Sequence, residues 1–158
     1  MARKRIRYQE GTWFAVPLRK GGFGIGLIAR YDGKGIVLGY FFHCTYEQCP
    51  TIDDTHTIDA AHIVLVRLFG DLGILRGEWP ILGQQKEWHR DVWPVPLFGR
   101  IAVDRSRAVG VKYADDNIAY LGEISIPIEE ATQLPEDGLS GYGAIEIRLT
   151  DLLTQPAQ

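Results

Sequence analysis

Apolar and polar positions alternate with a period near two through the first forty residues, and turn residues break the pattern at regular intervals. That predicts a β-meander. Residues 12–18 (TWFAVPL) form the first strand, and Arg19, Lys20, Gly21 and Gly22 a turn. Residues 23–31 (FGIGLIARY) form the second strand, with Gly24 and Gly26 on one face. Asp32-Gly33 is a short hairpin signal, because both positions tolerate positive φ. Residues 35–42 (GIVLGYFF) form the third strand. Glycines inside strands mark close backbone approach, bulges or bends. The meander is therefore expected to curl.

The pattern weakens after residue 42. Residues 43–60 are polar and acidic, a loop with a short helical turn near 52–57. Residues 61–69 (AHIVLVRLF) fit either period, and their β-branched content favours a strand. Residues 70–83 hold four glycines and Pro80, so a loop and a short strand. Residues 88–97, with Trp88, Trp93, Pro94 and Pro96, read as extended. Strands follow at 99–103, 107–113 and 118–126, with a turn of Asx character at 114–117. A short helix is expected over 128–133 and a loop over 134–143. Residues 144–150 (AIEIRLT) alternate strictly, with Ile145, Ile147 and Leu149 on one face. They predict a strand, with a helix through Leu153 as the alternative. No repeat, heptad or low-complexity run occurs. The expectation is one domain over 1–158 with a frayed start over 1–10. Its class is α+β, mostly β: a curled antiparallel sheet or partly open barrel with one or two short helices.

Composition agrees. Of 158 residues, 46% are apolar, and 18 glycines and eight prolines favour strands and turns over helices. No apolar stretch reaches membrane-spanning length; the longest, 60–69, is broken by His62 and Arg67. The basic start runs into polar Tyr8-Gln9-Glu10-Gly11 where a signal peptide needs an apolar run, so a cytoplasmic location is expected. Two cysteines make no disulfide framework.

Charge is unevenly spread. Residues 1–34 carry eight Lys/Arg against two acids, whereas residues 35–158 carry nine against eighteen. From residue 113 onward there are nine acids and one base, Arg148. The basic cluster Arg3, Lys4, Arg5, Arg7 is short and terminal, so nucleic acid is disfavoured as a partner and no membrane is expected. The acidic third suits a basic protein surface, because complementary fields speed and select encounters.

Catalytic signatures are weak. Gly22, Gly24 and Gly26 sit within a strand pattern, not ahead of a helix, so they do not make a phosphate loop. His43, Cys44, Cys49 and His56 include metal-capable and nucleophilic groups without a standard spacing. Adjacent acids such as Asp53-Asp54 read as solvated loop residues. No cofactor, no metal and no catalytic residue is expected. Trp13 and Trp79 lie in apolar surroundings and read as core. Trp88 and Trp93 lie among charged residues and are candidate interface anchors, since buried aromatics dominate interface energies. Turn acids are the candidates for steering: Asp53, Asp54, Asp115 and Asp116, with Glu129, Glu130, Glu136 and Asp137 as the wider field.

The opening from Arg5 to Leu18, with Gly11-Thr12-Trp13-Phe14-Ala15-Val16-Pro17-Leu18 at its centre, is followed by Gly21-Gly22-Phe23-Gly24-Ile25-Gly26. Together with the third strand at 35–42, this resembles the immunity protein 26 family of bacterial polymorphic toxin systems. Residues 67–73 and 78–83 are similar to a further family block. The resemblance implies a cytosolic, non-enzymatic protein that binds and blocks a cognate toxin domain, such as a basic nuclease. It transfers no catalytic residue. Two other classes stand beside it: a small β-barrel binding nucleic acid or a small ligand, and a hydrolase or metal-dependent enzyme around His43, Cys44, Cys49 and His56.

Overall fold

The computed structural model describes residues 7–155. Nine strands form two sheets. The main sheet contains β1 (Thr12–Pro17), β2 (Phe23–Tyr31), β3 (Ile36–Phe42), β4 (Ile63–Gly70), β5 (Ile81–Gln84) and β9 (Leu139–Ser140). Its order is β5-β1-β2-β3-β4-β9, antiparallel except for the β4–β9 pair. The second sheet is an antiparallel meander of β6 (Phe98–Ile101), β7 (Ala108–Tyr113) and β8 (Tyr120–Ile126). Among the described residues three α-helices accompany them: α1 (Leu72–Leu75), α2 (Ile128–Ala131) and α3 (Tyr142–Thr154). The main sheet stays open, with β5 and β9 at its edges, so no closed barrel forms.

Both faces of the main sheet are buried, which explains why β2 and β3 are apolar almost without interruption. On one face Trp13, Ile25, Leu27, Leu38, Tyr40 and Phe42 pack with Phe98, Val111 and Ile118 of the second sheet and its turn. On the other face Phe14, Phe41 and Phe69 gather around Trp79, with Ile145 and Leu149 of α3 above them. Phe14 stacks on Trp79 with ring centroids 5.5 Å apart. The strand glycines make room for this cluster. A Cβ at Gly26 would lie 2.4 Å from Phe14 Cζ, and one at Gly39 would lie 2.6 Å from Phe69 Cε1. Aromatic rings, not neighbouring backbone, occupy the space those glycines leave.

The structure corrects the expectations over residues 134–143 and 144–150. Residues 144–150 are helical, inside α3, and the alternation of Ile145, Ile147 and Leu149 is coincidental. Ile145 and Leu149, four residues apart, share the buried face, while Ile147 is 52% exposed. The helix is tied down by Glu146, which accepts from Trp79 Nε1 at 2.9 Å and pairs with Arg19 at 3.1 Å. The loop expected over 134–143 contains β9, two residues long and parallel to β4. Residues 1–6 of the expected frayed start lie outside the described residues, but Tyr8 and Glu10 are held: Tyr8 donates to Asp71 at 2.7 Å, and Glu10 joins the cluster described next.

Candidate functional site

A β-bulge in β2 sets up the most heavily bonded polar cluster. Ile28 pairs with Gly39 and Arg30 with Leu38, leaving Ala29 as the extra residue. In a regular ladder Arg30 would fall on the aromatic face with Phe41 and Phe69. The extra residue turns it to the opposite face, towards the second sheet. Its side chain is 1% exposed, so every donor needs a partner. Nε donates to Asp115 O at 2.8 Å, and Nη1 to Ala29 O at 2.6 Å and Trp93 O at 3.2 Å. Nη2 donates to Arg90 O at 3.3 Å and to Asp115 Oδ1 at 2.9 Å. One planar cation thus fastens β2 to the segment around residues 90–93 and to the β7–β8 turn.

Arg90 lies over this bond set. It donates to Glu10 Oε1 at 2.6 Å, to Asp115 Oδ2 at 2.9 Å and to Asp115 O at 2.7 Å. Trp88 Nε1 donates to the same Glu10 oxygen at 3.2 Å. The Arg30 hydrogen bond, with the charges of Arg30 and Arg90 behind it, holds the Asp115 carboxyl below the ordinary aspartate value. The bond to Glu10 and the nearby acids push Arg90 above its already high one.

The sequence-selected residues divide accordingly. Trp88, Trp93 and Asp115 come together here. Trp93 is 8% exposed and packs against Tyr40 and Phe42, so it serves the core. Trp88 is half-buried and packs at the edge of the same core. The Asp115 carboxylate remains largely in contact with water although both its oxygens are engaged internally. Asp116 beside it is exposed, and no ion pair among the described residues uses it. Asp53 and Asp54 stand apart, in a 3-10 turn over Ile52–Thr57 beside β5, where Asp54 accepts from the Thr51 N–H at 2.7 Å. Glu129 and Glu130 are exposed on α2. Asp137 accepts from Tyr113 and faces Arg100, while Glu136 lies 3.6 Å from Arg67. Sequence reasoning passed over Glu10, Arg30 and Arg90. Arg30 left one signal, a cation inside an otherwise apolar strand.

The nucleophile and metal candidates do not converge. Among the described residues no three His, Cys, Asp or Glu side chains form a metal-binding group. Burial pushes the Cys44 thiol up, away from the thiolate that nucleophilic attack requires, and Cys49 is exposed. A cleft of about 620 Å³ runs between β4, residues 132–136 and α3. Arg67, Arg148 and Glu136 are its charged lining, and the Ser140 hydroxyl beside them accepts from Arg67 Nε at 2.8 Å. No helix among the described residues is long and apolar enough to cross a membrane.

A family model described as immunity protein 26 matches residues 9–109. That span runs from the residue before Glu10 through β1 to β6 and ends at the start of β7. No curated protein and no solved structure gives a match.

Proposed function

The chain belongs to the immunity protein 26 family, and from that premise we propose that it binds a cognate toxin protein in the cytoplasm and neutralises it without chemistry of its own. The family match carries this reading. Two features support it. The exposed acids Asp116, Glu129 and Glu130 take no part in ion pairs among the described residues, so their field is available to a basic partner such as a nuclease domain. The main sheet is filled on both faces by side chains, which leaves no barrel interior to hold a ligand.

Binding, not turnover, is the distinguishing property. The purified chain is titrated against the toxin domain encoded beside its gene. Inhibition should rise linearly and saturate at one molar equivalent. Toxin activity that persists under a tenfold excess of this chain would overturn the proposal. Inhibition far below stoichiometry would point to catalysis instead.

A further inference from the structure

The second sheet has two edges, and they are treated differently. β6 is covered by the chain itself: the Gly99 N–H donates to Pro135 O at 2.8 Å and the Asp137 N–H donates to Gly99 O at 2.8 Å. β8 is the terminal strand of its sheet, and no described segment pairs with its far side. From Gly122 to Ile126 its ladder with β7 is regular, so five consecutive residues present an ordered backbone edge. At ~3.3 Å per residue that is about 16 Å of strand.

This edge is protected only at its ends, by the bulge at Leu121 and Gly122 and by Pro127 just past Ile126. Natural edges are blunted by lysine, proline, bulges or short length. Within β8 the one charge is Glu123, and it is paired with Arg100. The single bulge, at Leu121, lies before the regular stretch. Exposed apolar side chains line the strand instead: Tyr120 is 61% exposed, Leu121 65% and Ile124 39%. Lys112 belongs to β7, on the paired side of the ladder. Acids bracket both ends. Asp116 is exposed in the turn before β8, and Glu129 and Glu130 are exposed on the helix just after it. The strand also lies beyond residue 109, where the family match ends.

We propose that β8 is a strand-addition site: an extended segment of the toxin, apolar along its length and carrying Lys or Arg at its ends, pairs with the open edge from Gly122 to Ile126. Main-chain hydrogen bonds supply the affinity. Tyr120, Leu121 and Ile124 meet apolar side chains, and the bracketing acids select basic ends. This deepens the function proposed above and rests on it.

The test uses the complex of the full chain with the toxin domain encoded beside its gene, the toxin carrying an inactivating substitution. Hydrogen exchange is measured by mass spectrometry with and without toxin, and affinity is measured for Ile124→Lys and, as a control on the far side of the molecule, Ile147→Lys. Added protection across residues 120–126, with at least a tenfold loss of affinity in Ile124→Lys and wild-type affinity in Ile147→Lys, is the expected result. Tight binding with unchanged exchange over 120–126 overturns strand addition and leaves the immunity function standing. Absence of any complex overturns both. Ile124 is already partly solvent-exposed, so its lysine variant should fold, and a circular dichroism spectrum and melting curve check that it does.

Discussion

Arg30→Met removes the guanidinium and keeps most of the apolar stem. The five hydrogen bonds of Arg30 disappear together. Three acceptor groups keep other partners: Arg90 still serves Asp115 at its carbonyl and its carboxylate, and the Arg90 carbonyl still accepts from the Trp93 N–H at 3.1 Å. The carbonyls of Ala29 and Trp93 lose their Arg30 donor inside the core, each costing about 1–3 kcal/mol. Part of that is offset because a buried cation no longer has to be desolvated. The net loss should be about 3 kcal/mol, which for a chain of this size lowers the melting temperature by roughly 6–12 °C. Urea and thermal unfolding, followed by tryptophan fluorescence and circular dichroism, measure it. Arg30→Lys should lose nearly as much, since one ammonium cannot reach β2, the 90–93 segment and the β7–β8 turn at once. A loss below about 1 kcal/mol in Arg30→Met would refute the idea that this cation fastens the two sheets.

The Asp115 carboxyl is depressed in the folded state, so the unfolded chain binds more protons in acid and the stabilisation is present above pH ~4 and lost as pH falls through the folded value. Wild type should therefore lose slightly more stability on acidification than Asp115→Asn, the margin being small because the group is solvent-screened; equal acid profiles would contradict this. Gly26→Val should destabilise by roughly 1–3 kcal/mol, because the new side chain collides with the Phe14 ring inside a filled cluster, and denaturant unfolding reports it. Cys44→Ser combined with Cys49→Ser should leave toxin neutralisation intact in a co-expression survival assay; loss of protection by the folded double variant would restore a role for the thiols. Asp116→Lys together with Glu129→Lys and Glu130→Lys should slow association with the toxin and weaken its dependence on salt, read by stopped-flow kinetics.

The meander was legible because its turns carry strong local chemistry, Gly21-Gly22 and Asp32-Gly33, and because its apolar runs are long. The curl and openness of the sheet also followed from the glycines. What failed was local pattern overruled by distant packing. Residues 144–150 satisfy both a strand period and, through Leu153, a helix period. The aromatic face around Trp79 decides the matter, since Glu146 and Leu149 reach it together only from a helix. Residue 118, expected to begin a strand, instead has a φ of 54° and plugs the core, and β8 starts at Tyr120. In the site, Trp88 and Asp115, selected from the sequence as an interface anchor and a steering acid, fall in one cluster, where Asp115 engages its carboxylate inside the molecule. No local pattern reveals a partner 85 residues away, the separation of Arg30 and Asp115.

The double coverage of the main sheet has a temporal consequence. The amide of Arg19 is satisfied by Thr150, 131 residues downstream. A ribosome adding roughly 5–20 residues per second needs on the order of ten seconds to make that partner. Through that interval the growing meander carries Phe14, Phe41 and Phe69 on a face whose cover, begun by Trp79, is complete only with α3. High contact order of this kind slows folding and leaves the nascent chain prone to aggregation. Each new molecule thus becomes available only once its last helix has emerged and docked, so a cell depending on it is served by molecules finished earlier, not by those still being made.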